Sequence, residues 1–578
     1  MRSRRNPGGT VVHLTVGVTG HRDLLADEIP ALKEKVRDFF IQLKSDFPDL
    51  ELQLISPLAE GSDRLVADVA LELGVDLIVP LPMPQAEYEE DFSSPAAVEA
   101  FRDSLKNARV IHLRILGKRP GDSLSLEDRK RQYAQMGIFI SNHSQVLLAL
   151  WDGKSSPEVG GTASVVNYHL TAVMPGLSVA DDSPNLLADN ENDLVCHIVC
   201  SRDRPDGQPK KGLTSLQTIW ETAQFGLESG EHLPLEYKIM WSRLQDYGRD
   251  RAKYASEIKG DGADLLENAL DLELPIGTYE IARQYRIADW LAIHFQKRIS
   301  LGLIAIHSIA VLIGLIFIMY SEIEGFDFLV NFFLFAFFVG FIIYKIGEKR
   351  QWHRKHLDYR ALAEGLRVQF YWCLAGVIDV QSAEFAYDNF LQKQDVDLGW
   401  IRHVMRNVSL ARSRDNVPQA AWVDWVIEQW VGDEERQSGQ LSYYRSKELE
   451  KARRFRRTTF LGRITLQMGV LIAVVLALVG TDMSDTHRQY LLVLMGVLPL
   501  FAGVRDAYSH KKAEKELIKQ YRFMRGILAN ARRLLDGSDD IDFRRAVLRA
   551  LGNAALEEGA EWILMHRERP LEHSGLSG

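Results

Sequence analysis

Two stretches of the chain stay apolar on every face a helix could present. Ile299 to Tyr320 runs 22 residues without Asp, Glu, Lys or Arg, and Phe328 to Tyr344 runs 17. At a rise of ~1.5 Å per residue, each approaches the ~30 Å thickness of a hydrocarbon core. Joined by the short segment 321–327, they predict a membrane hairpin with spans over about 299–320 and 328–346. The alternative is a buried hairpin of a large soluble protein, disfavoured because soluble helices seldom stay uncharged all round for so long. A second, weaker pair covers about 460–480 and 488–504. Its first member carries Arg463 and Gln467 near the start, and its second contains Pro499.

Charge strengthens this pattern. Arg283, Arg286, Lys297 and Arg298 precede the first hairpin, and Lys345, Lys349, Arg350, Arg354 and Lys355 follow it. Its loop holds Glu322, Glu324 and Asp327 and no basic residue. Lys451, Arg453, Arg454, Arg456 and Arg457 precede the second hairpin, and Arg505, Lys511, Lys512 and Lys515 follow it. The positive-inside rule then predicts a multi-pass protein of the inner (cytoplasmic) membrane with both termini in the cytoplasm. Tyr-Arg pairs at 285–286, 359–360, 444–445 and 521–522 recur around the two hairpins, the first member of each twelve residues ahead of a basic pair. This reads as a tandem duplication.

The N-terminal part follows a different rhythm. Apolar runs at 11–18, 50–58, 75–81, 110–116 and 146–150 alternate with helical patterns, as at 29–43. That predicts an α/β fold, a Rossmann-like and mostly parallel sheet, whose ligand site lies beyond the carboxyl ends of the strands. Three loops fall at such ends. The first is Gly17, Thr19, Gly20, His21 and Arg22, where Gly lets a phosphate approach and Arg22 neutralises it. The second is Glu60, Gly61, Ser62 and Asp63, ahead of a helix whose free N–H groups favour an anion. The third starts at Trp151 and Asp152 and runs to Gly160, Gly161 and Thr162, again before a helix. Each loop alone also suits a tight turn with a cap. Together they point to a nucleotide-type ligand, with Trp151 either stacking on a base or packing in the core.

Composition excludes some classes. The 578 residues are 46% hydrophobic and 25% charged, with a mean hydropathy of −0.13, which rules out collagen-like or wholly disordered chains. A net charge of −9 argues against nucleic-acid binding. Cys196, Cys200 and Cys373 are too few for a disulfide framework and fit a reducing compartment. The start, Met1 to Gly9, is charged without an apolar run behind it, so no signal peptide is read there. His353 and His356 on a basic helix lack the further ligands a metal needs, and no metal site is expected. The tryptophans at 422, 425 and 430 read as a packing stripe, and the run Cys196–Cys200 as core. His307 and Asn331, polar groups inside spans, are expected to face the bundle interior or a pore.

The segments VGVTGHRDL, PLAEGSDRLVADVALELG, LPMPQAEYEEDF, LLALWDG and GGTASVV resemble the SLOG superfamily of Rossmann-like sensors of nucleotide derivatives. Prokaryotic members are similar to the N-terminal domain of melastatin-type TRP channels. The membrane half, with LDYRALAEGLRVQFYWCLAG after a hairpin, resembles SLATT domains, two-helix membrane units found beside SLOG domains in bacterial conflict systems. The resemblance implies a sensor domain over 10–205, an extension over 206–277, hairpin units over 278–400 and 441–566, and a helical connector over 401–440. Catalytic relatives carry Gly-Gly-x-Gly-Thr-x-x-Glu, whereas here Val165 stands at the Glu position, so no catalytic residue is assigned.

The expected function is a membrane effector. Its cytoplasmic domain would sense a nucleotide-derived signal related to ADP-ribose and control an oligomeric pore, an ion channel or a membrane-disrupting assembly in anti-phage defence. No cofactor is required; the partners are the small molecule, the bilayer and further copies of the chain. A membrane-tethered nucleotide-processing enzyme using Asp23, Glu60, Asp63 or Asp152, and a membrane-anchored scaffold, are the alternatives.

Overall fold

A computed structural model describes residues 12–115, 123–156, 158–174, 194–223, 228–258, 265, 274, 277–323, 325–377, 390, 396–410 and 420–567. Leu116 and Glu324, used in the sequence reading, and the N-terminal segment 1–11 lie outside them. Along the chain, β1 (His13–Gly20) leads into α1 (Ile29–Asp46), and β2 (Glu51–Ile55) into α2 (Ser62–Glu72). Next come β3 (Asp76–Leu81), α3 (Gln85–Glu89), α4 (Pro95–Leu105) and β4 (Ala108–His112). They are followed by α5 (Leu126–His143), β5 (Val146–Trp151) and α6 (Thr162–Thr171). Then β6 (Val195–Val199), β7 (Thr218–Thr222) and β8 (Glu228–Gly230) precede α7 (Leu235–Lys253) and α8 (Ala255–Ile258). The rest is helical: α9 (Thr278–Glu322), α10 (Leu329–Arg350), α11 (Trp352–Ala375), α12 (Gly399–Ser409) and α13 (Ala420–Val426). It ends with α14 (Gly439–Val479), α15 (Asp485–Lys511), α16 (Glu514–Asp536) and α17 (Ile541–Arg567). The chain forms two compact units, 1–260 with 271–284 and 365–417, and 261–270 with 285–364 and 418–578.

The first unit is built on one eight-stranded sheet in the order β4-β3-β2-β1-β5-β6-β7-β8. Pairing is parallel from β4 through β6, and β7 and β8 add antiparallel edges. Burial on both faces explains why β1 reads as a continuous apolar run: Leu14 to Thr19 are all buried. Helix α1 lays Leu32, Val36, Phe40 and Leu43 on the sheet, and its Phe39 ring lies 6.0 Å from Trp220 of β7. The parallel strands β1 to β5 follow the periodicity, and the sheet continues past residue 205, where the sequence suggested an extension. Helix α12 also joins this unit: the Asn407 amide donates to the His13 carbonyl at 3.1 Å and accepts from the Thr15 hydroxyl at 3.0 Å.

The second unit is all helical. Four helices are long and apolar enough to cross a membrane: α9, α10, α14 and α15. At most 11% of the apolar window of any of them is buried, so their hydrophobic faces lie outward rather than within the fold of this chain. The first and third are longer than their spans, because the basic segment and the apolar run form one helix of 45 and of 41 residues. Small residues set the contacts between spans. Gly469 admits the Pro499 ring, Gly314 faces Leu500, and Gly496 faces Ile318. The two hairpins also carry the same ion pair at the same register. Asp289, four residues after Tyr285, meets Arg360 at 3.3 Å; Glu448, four residues after Tyr444, meets Arg522 at 2.9 Å.

Candidate functional site

Strand order places the site. Strands β2, β3 and β4 lie to one side of β1, and β5 and the later strands to the other, so the chain reverses direction across the sheet between β1 and β5. In an open parallel sheet that reversal opens a crevice beyond the carboxyl ends of the two strands. Gly20 ends β1 there, with His21 and Arg22 after it, and Trp151 ends β5, with Asp152 after it.

His21 ties the loops together. Its backbone N–H donates to the Leu150 carbonyl at 3.1 Å, and its carbonyl accepts from the backbone and hydroxyl of Ser62 at 3.0 and 2.8 Å. The Asp152 backbone N–H donates to His21 Nε2 at 3.2 Å. Burial lowers the His21 pKa, which keeps that nitrogen an acceptor near neutral pH. Two glycines make the approach feasible. A Cβ on Gly20 would lie 2.3 Å from the Ser62 Cβ, and Gly61, at φ +82°, would put one 2.4 Å from the Arg22 carbonyl oxygen. Gly17 plays a different part: a Cβ there would strike Ser144 and Ile140, so it serves the packing of α5 on β1. Thr19 is buried within β1.

Two carboxyl groups are buried beside these loops, each with one oxygen that has no hydrogen bond among the described residues. Asp63, at the first turn of α2, is 7% exposed, and its buried Oδ1 has no hydrogen-bond partner among the described residues. Burial pushes its pKa up to about 8, against the opposing pull of Arg22, so it is neutral at pH 7. Asp152 accepts from the Lys154 backbone at 3.0 Å through Oδ1, while its buried Oδ2 has no hydrogen bond, and Arg204 stands 3.9 Å away. Asp23 is held by Arg202 at 2.8 Å, and Glu60 accepts two hydrogen bonds from Ser93.

The third loop reaches the first through a residue the sequence reading left out. The Arg22 guanidinium lies 5.9 Å from the centre of the Tyr133 ring, and Tyr133 donates to Asp91. Gly160, at φ +77°, packs on the backbone of Tyr133 and Ala134, where a Cβ would come within 2.7 Å of the Ala134 nitrogen. Gly161 is the N-cap of α6 and has no side-chain cap, nor does Gly61 at α2, so Thr162 and Ser62 open helices whose N-termini favour anions. A Cβ on Gly161 would meet Glu158 only at 3.6 Å. The segment carrying Tyr88 and Asp91 was legible as LPMPQAEYEEDF, but nothing marked Tyr133 on α5. The cleft between Arg22, Glu60, Tyr88 and Asp91 leaves no room for a water molecule.

Other polar and aromatic groups of this unit are committed to contacts within the protein. The Trp151 ring lies 5.1 Å from the His197 ring, and its Nε1 donates to the Lys154 carbonyl at 3.1 Å, so one face is already covered by protein. Val165 is buried, and its methyl group fills the space over Gly137. His169 in the same layer is neutral, with its pKa pushed down to about 3 by burial, and bonds Ser141 at 2.6 Å. At the opposite, amino end of the strands, His13 lies 3.9 Å from Glu51 and 3.8 Å from Asp76, a grouping whose carboxylates are exposed. Comparison of the chain with family models, curated proteins and solved structures finds no match.

Proposed function

We propose that the first unit is a sensor of a nucleotide-derived ligand and that the four apolar helices form the effector it controls. The observation that carries this reading is the convergence of three loops on His21 at the β1/β5 reversal. The crevice offers what such a ligand needs. Arg22 and the N-terminus of α6 suit a phosphate. Neutral Asp63 can donate to a ribose hydroxyl, and Asp152 Oδ2 can accept from a ribose hydroxyl or a base amino group. The resemblance to SLOG domains supports the same ligand class, related to ADP-ribose. Because the cleft at Arg22 is closed, entry requires Arg22 and Tyr133 to move apart from Glu60, and that motion is the signal passed to the helices. By the positive-inside rule both termini and the sensor lie in the cytoplasm, with the spans in the inner membrane. Copies of the chain then assemble around a pore or a membrane-disrupting structure, since four spans enclose little space, and the pairing of domain types points to anti-phage defence.

The test is titration of the full chain in detergent with AMP, ADP, ATP and ADP-ribose by calorimetry. At least one binds, and Gly161→Glu, which places a carboxylate at the N-terminus of α6, abolishes it. If none binds, or if Gly161→Glu leaves affinity unchanged, the reading fails. The raised pKa of Asp63 favours one alternative, an enzyme using that carboxyl as general acid. It requires turnover of one of these nucleotides that Asp63→Asn removes.

A further inference from the structure

The second unit encloses a cavity of about 580 Å³ that takes no part in the reading above. It is lined where the polar flanks of the spans meet: Ile299 and Leu303 at the start of one, Lys511 and Lys512 at the end of another, Lys451, and residues of α11, α16 and α17. Its charge is mainly positive. Arg360 is occupied by Asp289 at 3.3 Å and by Glu364, and Glu558 is the other lining carboxylate. Lys451 and Lys512 lie in one another's field. Among the described residues neither has an ion pair with a carboxylate, and the Lys512 ammonium rests 4.8 Å from the centre of the Tyr508 ring. Two half-buried cations side by side repel one another unless an anion lies between them.

Beneath the cavity wall lie two buried acceptors that have no hydrogen bond among the described residues. His353 donates through Nε2 to the His566 carbonyl at 3.0 Å, and its Nδ1 is buried without a hydrogen bond. Burial lowers its pKa, so Nδ1 keeps its lone pair. The Gln520 Oε1 is buried and unbonded as well. His356 donates to the Ala292 carbonyl at 3.0 Å and adds no charge, its pKa pushed down to about 3 by burial. Cations suited to a phosphate therefore stand beside the apolar Ile299 and Leu303.

We infer that this cavity binds the headgroup of an anionic phospholipid, its phosphate between Lys451 and Lys512. Basic recesses between spans on the cytoplasmic side are suited to such headgroups. The inference rests on the reading that the apolar helices lie in a bilayer. The same chemistry could arrive as a soluble polyol phosphate; the apolar wall leading to the spans favours the lipid.

The full chain is reconstituted into phosphatidylcholine vesicles with and without phosphatidylglycerol, floated, re-extracted, and its retained lipid counted by native mass spectrometry. Wild type keeps phosphatidylglycerol in preference to phosphatidylcholine. Lys451→Gln with Lys512→Gln weakens retention roughly thirtyfold, at about tenfold per 1.4 kcal/mol and about 1 kcal/mol per cation. Lys451→Arg with Lys512→Arg, a control for folding, keeps it. Equal retention of both lipids by wild type, or unchanged retention in the Gln pair, overturns the inference. So does displacement by glycerol 3-phosphate with no lipid retained, which assigns the site to a soluble ligand. A chain that does not float even with phosphatidylcholine overturns the bilayer reading itself.

Discussion

The two units of this chain solve the same problem in opposite directions. The sheet unit turns its apolar residues inward, and β1, β5 and β6 are buried nearly throughout. The helical unit turns them outward, with Leu478 77% and Phe335 66% exposed. Both contribute to one mean hydropathy of −0.13, so the average describes neither. The difference teaches where tolerance lies: backbone space is scarce around His21 and ample along much of the spans, whereas charge is tolerated on the sheet unit's surface and not on the outer faces of the spans.

The sharpest contrast is a single methyl group. Gly61→Ala, strained by its positive φ and by the Arg22 carbonyl, is expected to cost about 4 kcal/mol and abolish the cooperative thermal transition of the sheet unit. Gly347→Ala in α10, where a Cβ meets nothing, should shift stability by under about 1 kcal/mol. Circular dichroism melts of both variants decide this, and equal effects would erase the distinction.

Asp63 sharpens it next. Its folded pKa lies above the unfolded value of 3.8, so the folded chain holds a proton that the unfolded chain has lost, and stability falls as pH rises from about 4 to about 8. Asp63→Asn removes that penalty. Denaturant unfolding should show stabilisation of up to about 5 kcal/mol at pH 8 and almost none at pH 4. A pH-independent difference would mean that burial of the carboxyl is not its cause.

Charge comes third. Phe335→Asp in the exposed belt of α10 is expected to cost about 3 kcal/mol of membrane insertion and move the chain into the carbonate-soluble fraction. Ile41→Lys on the exposed side of α1 should stay within about 0.5 kcal/mol by thermal melting. The smallest effect compares the hairpins with each other. Asp289→Asn and Glu448→Gln, matched members of the two ion pairs, should each cost about 1 kcal/mol, and detergent melts that differ widely would argue against equivalent repeats.

Much of this could be read before the fold was known, for physical reasons. Strands β1 and β5 are buried on both faces and β2 and β3 largely so, and they are therefore apolar in sequence, whereas the edge strand β4 has no buried residue; the apolar helices are long enough to match a hydrocarbon thickness. Strands β7 and β8 could not be seen: TIWET and ESG carry little periodicity, and β7 pairs because β6 offers it an edge. Helix α12 reads as a connector, yet Asn407 bonds His13 across 394 positions, a contact no local pattern encodes. At the site, glycines announced the loops, although no side chain caps α2 or α6, whereas the role of Tyr133 arises from where α5 crosses the sheet. The space at Gly161 and the core position of Val165 were likewise invisible in one dimension.

The measurement that bears most directly on the central claim is ion efflux from vesicles containing the full chain, recorded with each of the four adenine nucleotides. The account predicts efflux that one of them switches on in wild type and not in Gly161→Glu. Efflux unaffected by every nucleotide, or none at all while a nucleotide binds, would contradict it.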